Sequence, residues 1–272
     1  MSELDDYLRR IGLAEVPAAT AEGLMAVQRA HRLEIPFENL DIPLGRGISL
    51  DPGAVFDKLV NRRRGGYCFE QNQLFLRMLR LMGFEARPLL ARVWLLAEGV
   101  PPLTHTFNLV TLGGRLWVAD AGFGGDFTPP MPLEAGRAAE APGGVFYRLI
   151  EDERGWVLQR DGGEGGDGWQ DQYSFTLAPV EACDLDMGNH WTSTRPDTRF
   201  TTLRIASRAL PDGRAGLIGR QLSVTRSGCT EQRDVGDAAE YRALLSEMFN
   251  LSLTAQEVAA LGLFGSGVTA PS

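Results

Sequence analysis

Six side chains in this 272-residue sequence can act as nucleophiles or proton carriers near neutral pH: Cys68, Cys183, Cys229, His31, His105 and His190. Cys68 stands apart. It directly follows Arg62-Arg63-Arg64-Gly65-Gly66-Tyr67 and opens a segment in which Leu74, Phe75, Met78, Leu79 and Met82 recur at helical spacing until Gly83. Unpaired N–H groups and the dipole at a helix start favour an anion, so the position predicts a thiol tuned toward its reactive thiolate form. The competing reading is a small buried hydrophobe, which is what most lone cysteines are.

The run around Gly113-Gly114 favours the first reading. If these two glycines form a two-residue hairpin turn, Leu112 pairs with Arg115, Phe107 opposes Asp120 and His105 opposes Gly122. His105 and Asp120 then share one face as diagonal neighbours, with Cβ atoms at most ~7–8 Å apart. Phe107, Leu109, Leu116 and Val118 fill the rest of that face, and a carboxylate at the end of an apolar surface needs a partner. Asp120 could instead cap the Ala121-Gly122 turn, with His105 a satisfied core residue. An Asp that orients a His, which in turn takes a proton from a Cys, is an activated-nucleophile arrangement. Sequence arithmetic alone does not bring Cys68 to His105.

Composition narrows the alternatives. The 27 basic residues are Lys58 and 26 arginines, so no lysine serves a Walker A loop or, apart from Lys58, a Schiff base. A net charge of −8 disfavours nucleic acid and points to a small-molecule partner. The three cysteines leave one unpaired in any disulfide scheme and show no zinc-ligand spacing, so no metal and reduced thiols in a cytoplasm are expected. The acidic start, Met1-Ser2-Glu3-Leu4-Asp5-Asp6, and the lack of any long apolar run predict a chain that is soluble and not exported. Cys183 and Cys229 lack a basic or glycine-rich context. His190 has no carboxylate to pair with, and His31 falls on an apolar helix face.

The elements that must position these residues change character along the chain. Helical spacing follows Ser2 (Leu4, Tyr7, Leu8, Ile11), Thr20 (Leu24, Val27, His31) and Asp51-Pro52 (Val55, Leu59), the last ending at Gly65-Gly66. From Pro88 short branched and aromatic runs alternate with glycine and proline, which predicts an antiparallel barrel or sandwich. Asp161 to Gly168, five glycines and three acids, reads as a hairpin tip whose charge is wrong for phosphate. Leu203 to Ser207 and Leu217 to Thr225 add strands. Two helices follow, Asp237 to Phe249 and one capped by Thr254-Ala255-Gln256-Glu257.

Four segments carry a resemblance: Ile35-Pro36-Phe37-Glu38-Asn39-Leu40-Asp41, Arg64-Gly65-Gly66-Tyr67-Cys68-Phe69-Glu70, His105 with Val118-Ala119-Asp120-Ala121-Gly122-Phe123-Gly124, and Ser193-Thr194-Arg195-Pro196. With Phe249-Asn250-Leu251-Ser252-Leu253, the chain resembles the arylamine N-acetyltransferases along nearly its whole length. The resemblance implies an α+β fold in three parts: a helical bundle (1–85) with the nucleophile, an antiparallel β-barrel (86–195) with His105 and Asp120, and an α/β lid (196–272). Its core is expected to be like that of papain-type and transglutaminase-type enzymes. It implies a Cys68, His105, Asp120 triad and ping-pong transfer of an acetyl group from acetyl-coenzyme A to arylamines, arylhydrazines or N-hydroxyarylamines. Phe37, Val93, Phe123 and Phe200 are the implied acceptor-pocket walls. Gly124 and Gly125 are candidates for main-chain contacts to coenzyme A, whereas Arg64 and Glu38 are expected to brace the Cys68 turn. An amide synthase releasing a polyketide chain, or a cysteine amidase or peptidase with the same triad, is the alternative. Oligomeric state is not implied.

Overall fold

Helix starts follow their caps. The side chains of Ser2, Thr20, Asp51, Asp237 and Thr254 accept the N–H three residues on, at 2.8–3.2 Å, which satisfies a donor the helix itself cannot. The computed structural model describes residues 2–162 and 168–264; the predicted tip at Asp161 to Gly168 lies largely outside them. Helices α1 (Glu3–Arg10), α2 (Ala21–Glu34), α3 (Pro52–Phe56) and α4 (Cys68–Leu81) make up most of the first part, and a π-helical turn, Asp57–Asn61, continues α3. The third helical stretch therefore ends at Asn61 rather than at Gly65-Gly66. The chain instead leaves the helix through Arg63 at φ +51°, and Gly66 bridges Phe37 of the short strand β1 (Phe37–Glu38).

Eight antiparallel strands follow the helices: β2 (Glu85–Val93), β3 (Leu103–Leu112), β4 (Arg115–Ala119), β5 (Met131–Pro132), β6 (Ala138–Ala141), β7 (Val145–Asp152), β8 (Gly155–Asp161) and β9 (Trp169–Phe175). Their order is β5-β4-β3-β2-β9-β8-β7-β6. A bridge from Ala135 to Leu149 draws the β5 edge toward β7, so the sheet is a nearly closed barrel. Gly113 and Gly114, both at positive φ, turn β3 into β4 with Leu112 opposite Arg115 and Leu109 opposite Val118, the register the two-residue turn predicts.

β3 is buried on both sides over its centre, from His105 to Val110. Phe107 and Leu109 face the barrel interior with Leu149, Leu158 and Tyr173, while Val110 faces the helices with Leu74, Phe75 and Met78. The helix bearing Cys68 thus packs across the strand bearing His105.

Beyond the barrel come α5 (Ala182–Thr194), α6 (Arg199–Thr202), strands β10 (Ile205–Leu210), β11 (Gly213–Ile218), β12 (Gln221–Arg226) and β13 (Cys229–Asp234), and helices α7 (Ala238–Phe249) and α8 (Ala255–Ala260). The expected single strand Leu217 to Thr225 is two, since Gly219 at φ +57° turns the chain between β11 and β12. Sequence periodicity misses β13 because all of its residues are exposed. β1 pairs with β10 and extends this second sheet to five strands. Tyr241, Leu245 and Phe249 of α7 cover it together with Leu40. No helix among the described residues is long and apolar enough to cross a membrane.

Candidate active site

Cys68 is the first residue of α4 and is buried, with its Sγ 3.8 Å from the Thr104 carbonyl. One residue further along β3, His105 directs Nε2 to Asp120 Oδ2 at 2.7 Å. The other ring nitrogen is then the one left for Cys68, whose hydrogen bond and charge help hold the His105 proton. Asp120 has just left β4, and its second oxygen accepts from Asn72 Nδ2 at 3.0 Å and from the Gly122 N–H at 2.9 Å. The sequence-based diagonal is therefore a direct contact. Asp120 also caps the following turn, so both of its readings hold together.

Close packing fixes the distance between nucleophile and hairpin. A Cβ at Gly122 would lie 2.6 Å from Asn72 Nδ2 and 2.9 Å from Cys68 Cα, so only glycine lets this chain pass against the Cys68 backbone. Asn72, one helical turn after Cys68, completes the join: its Nδ2 also donates to Thr106 O at 2.7 Å and its Oδ1 accepts the Ala121 N–H at 3.0 Å. One amide side chain ties α4 to β3 and to the Asp120 turn. The only forward signal for Asn72 is its four-residue spacing from Cys68, which places both on one helix face.

Burial opposes charge on both triad members beyond the cysteine, and their pairing overrides it. Burial alone would lower the His105 pKa, but the adjacent Asp120 carboxylate, its hydrogen bond and Cys68 push it up to about 10. Burial would likewise raise Asp120, yet the His105 charge and the bonds from His105, Asn72 and Gly122 hold it below the usual carboxylate range. At neutral pH the site therefore holds an imidazolium and a carboxylate.

A buried charge network underlies the Cys68 turn. Arg64 bonds Glu38 through Nε at 3.1 Å and through a terminal nitrogen at 2.7 Å, and reaches Asp41 at 3.1 Å. Lys58, the only lysine, lies 2.7 Å from both Asp41 and Glu70. Glu70 also accepts the Tyr67 N–H at 3.2 Å, immediately before the nucleophile. Burial pushes the Glu70 carboxyl up to about 7 against the opposing pull of Lys58. Arg64 and Glu38 brace the turn as expected; Lys58 and Glu70 are additions that only the fold reveals. His31 is a packed core residue: it accepts from Tyr7 at 2.8 Å, donates to Gln71 at 2.6 Å, and burial depresses its pKa to about 3.

The pocket residues cluster around the triad to different degrees. The Phe123 ring meets His105 edge-on with centroids 5.0 Å apart, and Tyr173, absent from the sequence-based set, stands 5.0 Å from the same ring. Phe37 and Phe200 lie 6.0 Å apart in the apolar cluster that contains Cys68. Val93 is half-buried opposite Tyr173. A Cβ placed on Gly124 would meet the Phe37 ring at 3.4 Å, and the Gly125 N–H donates to Ser207 Oγ at 3.4 Å. Cys183, Cys229 and His190 are exposed and lie on α5 and β13. No group of His, Cys, Asp or Glu among the described residues is arranged to hold a metal.

A family model described as N-acetyltransferase matches residues 20–258. The arylamine N-acetyltransferase of Escherichia coli is 39% identical over 254 residues, 92% of this chain and 89% of that protein. The chain belongs to the arylamine N-acetyltransferase family. The structure of the Salmonella typhimurium arylamine N-acetyltransferase superposes with a TM-score of 0.91 at 36% identity, covering 97% of this chain and 99% of that one. The Mycobacterium marinum enzyme in complex with CoA superposes with a TM-score of 0.87 at 35% identity, covering 95% and 98%. The α+β architecture with a papain-like core is thus shared with these solved arylamine N-acetyltransferases, and the hydrogen-bonded pair His105–Asp120 beside Cys68 sits within it.

Proposed function

We propose that this protein transfers an acetyl group from acetyl-coenzyme A to the nitrogen of arylamines and arylhydrazines, or to the oxygen of N-hydroxyarylamines, through an acetyl-Cys68 intermediate. The observation that carries this reading is His105, bonded to Asp120 at 2.7 Å through one ring nitrogen and turned to Cys68 with the other, in a chain of this family. An imidazolium beside the sulfur stabilises the thiolate. The thiolate attacks the thioester carbonyl, the carbon–sulfur bond to coenzyme A breaks, and the departing thiolate takes the His105 proton. The Cys68 N–H, in the first turn of α4 with no intrahelical acceptor, donates to the oxyanion.

Acylation consumes the Cys68 charge that helped hold the His105 proton, so His105 is left neutral and able to act as base. The amine nitrogen attacks the acetyl carbon, His105 takes its proton, and the bond to Cys68 Sγ breaks to restore the thiolate. Asp120 keeps the ring oriented throughout. Phe37, Val93, Phe123 and Phe200 form the walls for a flat aromatic acceptor, and coenzyme A approaches the Gly124-Gly125 turn, with the Gly124 main chain as its contact because the Gly125 N–H and carbonyl already bond Ser207 and Arg32. The three parts act as one body, with the nucleophile from 1–85, base and orienting acid from 86–195, and a lid from 196–272. The free thiols of Cys68, Cys183 and Cys229 suit the reducing cytoplasm.

Intact-mass measurement tests the mechanism. Acetyl-coenzyme A alone should add about 42 Da at Cys68, and an arylamine should remove it with formation of the acetylated amine. Acetylation at Cys183 or Cys229, or loss of the group to water at the same rate with and without amine, would overturn it.

A further inference from the structure

Arg32 is the bulkiest of the fully buried side chains among the described residues; it takes no part in the ion pairs that engage Lys58 and Arg64 and, like the buried Arg10, bonds main-chain carbonyls instead. A buried guanidinium needs its donors satisfied. Arg32 spends a terminal nitrogen on two successive main-chain carbonyls, Gly125 O at 3.1 Å and Asp126 O at 3.4 Å. One helical turn earlier on α2, Gln28 donates to Thr128 O at 2.7 Å. Two side chains on one face of a helix thus grip the segment 125–128.

That segment follows a turn with little stiffness of its own. Gly124 and Gly125 are both left-handed, at φ +78° and +66°, and glycine leaves such a conformation at little cost. The turn carries Phe123, whose ring packs 5.0 Å from His105 and 5.1 Å from Tyr173. On its far side the Asp126 carboxylate pairs with Arg160 at 2.9 Å and with Arg214. Those contacts come from β8 and β11 and hold a side chain. Among the described residues, only α2 holds the carbonyls. Burial pushes the Arg32 guanidinium down from its ordinary pKa, and the charge of Asp120 is foremost among those opposing it, so the clamp reaches the neighbourhood of the triad.

We propose that Arg32, with Gln28, is a positioning residue for the acceptor: it fixes the Gly124-Gly125 turn so that Phe123 presents one rigid face to the aromatic amine beside His105. The proposal rests on the acetyl-transfer reading for its kinetic consequence and on geometry alone for its structural one. An ester donor such as 4-nitrophenyl acetate carries no coenzyme A and acylates Cys68, which α4 holds, without using the Gly124-Gly125 turn that Arg32 fixes. The two half-reactions of a ping-pong enzyme should therefore respond differently.

The test compares wild type with Arg32→Met, Arg32→Lys and Gln28→Met. Release of 4-nitrophenolate from 4-nitrophenyl acetate reports acylation, and discharge of the acetyl-enzyme to 4-chloroaniline reports the acceptor step. Arg32→Met should raise the KM for 4-chloroaniline about tenfold while acylation stays within about twofold of wild type. Arg32→Lys, which keeps N–H donors, should recover part of the loss. Amide exchange in peptides covering 122–128 should quicken in Arg32→Met and, less, in Gln28→Met. Equal losses in both half-reactions, or unchanged exchange at 122–128 in a folded variant, would overturn the clamp. Wild-type protein that acetylates no amine would refute the proposed function, and the exchange measurement would still decide the clamp.

Discussion

Gly122→Ala isolates the contact that joins the nucleophile to its base. Gly122 is not among the glycines at positive φ, so alanine meets no backbone penalty and the effect is that of one methyl group. That methyl would sit 2.6 Å from Asn72 Nδ2, 2.9 Å from Cys68 Cα and 3.1 Å from Cys68 O. Ordinary contact begins near 3.4 Å, so the turn must retreat by roughly 0.5–0.8 Å. Asn72 cannot yield, because Thr106 O and Asp120 already hold its nitrogen. The Cys68 backbone is pinned in the first turn of α4. The displacement falls instead on Asp120 and, through it, on His105.

Overpacking of this kind costs about 1–3 kcal/mol. A shift approaching 1 Å between a base and its nucleophile costs up to ~100-fold in rate. Urea unfolding should show the first effect, and the rate of 4-nitrophenolate release from 4-nitrophenyl acetate the second. Gly216→Ala is the control: its Cβ meets nothing within 4 Å and its φ is ordinary, so stability should stay within about 0.5 kcal/mol of wild type. Gly122→Ala that acylated within threefold of wild type would refute the argument that this glycine sets the triad spacing.

The other expectations follow from the buried charges. Asp120→Asn should cost about 3–5 kcal/mol and most of the activity, because it strands the His105 charge, as urea unfolding and steady-state kinetics will show. In pH titrations of stability, His105, raised from 6.5 to about 10, contributes fully below 6.5 and loses its contribution as pH rises through 10. Asp120, lowered from 3.8, contributes above that value and loses its contribution in acid. His31, depressed to about 3, adds a loss of stability as pH falls below 6.5, and unfolding followed from pH 8 to 4 should show it. Lys58 should resist amine-reactive labelling in the folded protein and react in urea, and Lys58→Met should destabilise by about 3–5 kcal/mol since Asp41 and Glu70 lose their shared cation. Cys68→Ser should fold normally and fail to form an acetyl-enzyme by mass.

What sequence could reveal depended on whether the signal was local. The His105–Asp120 pair was legible because a hairpin with a two-residue turn converts sequence spacing into spatial register, and the observed ladder from Leu112–Arg115 to Asn108–Ala119 keeps that register. Helix starts at Ser2, Thr20, Asp51, Asp237 and Thr254 were legible for the same reason, since a cap acts within three residues. The approach of Cys68 to His105 crosses from a helix to a strand, and family likeness supplied it where arithmetic could not. Asn72, Glu70, Lys58 and Tyr173 were missed because each acts across the fold: their partners lie 12 to 48 residues away in sequence for the hydrogen bonds to Lys58 and Asp120, and no periodicity encodes such a distance.

The single lysine shows how the fold resolves what composition leaves open. Absence of a second lysine excluded a lysine-built phosphate loop, but said nothing of Lys58 itself. Its position, 2.7 Å from Glu70, whose other oxygen accepts the N–H of the residue before Cys68, gives it a structural task that no exposed side chain could perform. The Lys58 charge offsets carboxylates that water cannot reach, and Glu70 in turn fixes the peptide that leads into the nucleophile. A buried pair of this kind contributes little net stability over an apolar replacement. Its value lies in setting one orientation for the Tyr67–Cys68 backbone, where the oxyanion donor of the reaction must stand.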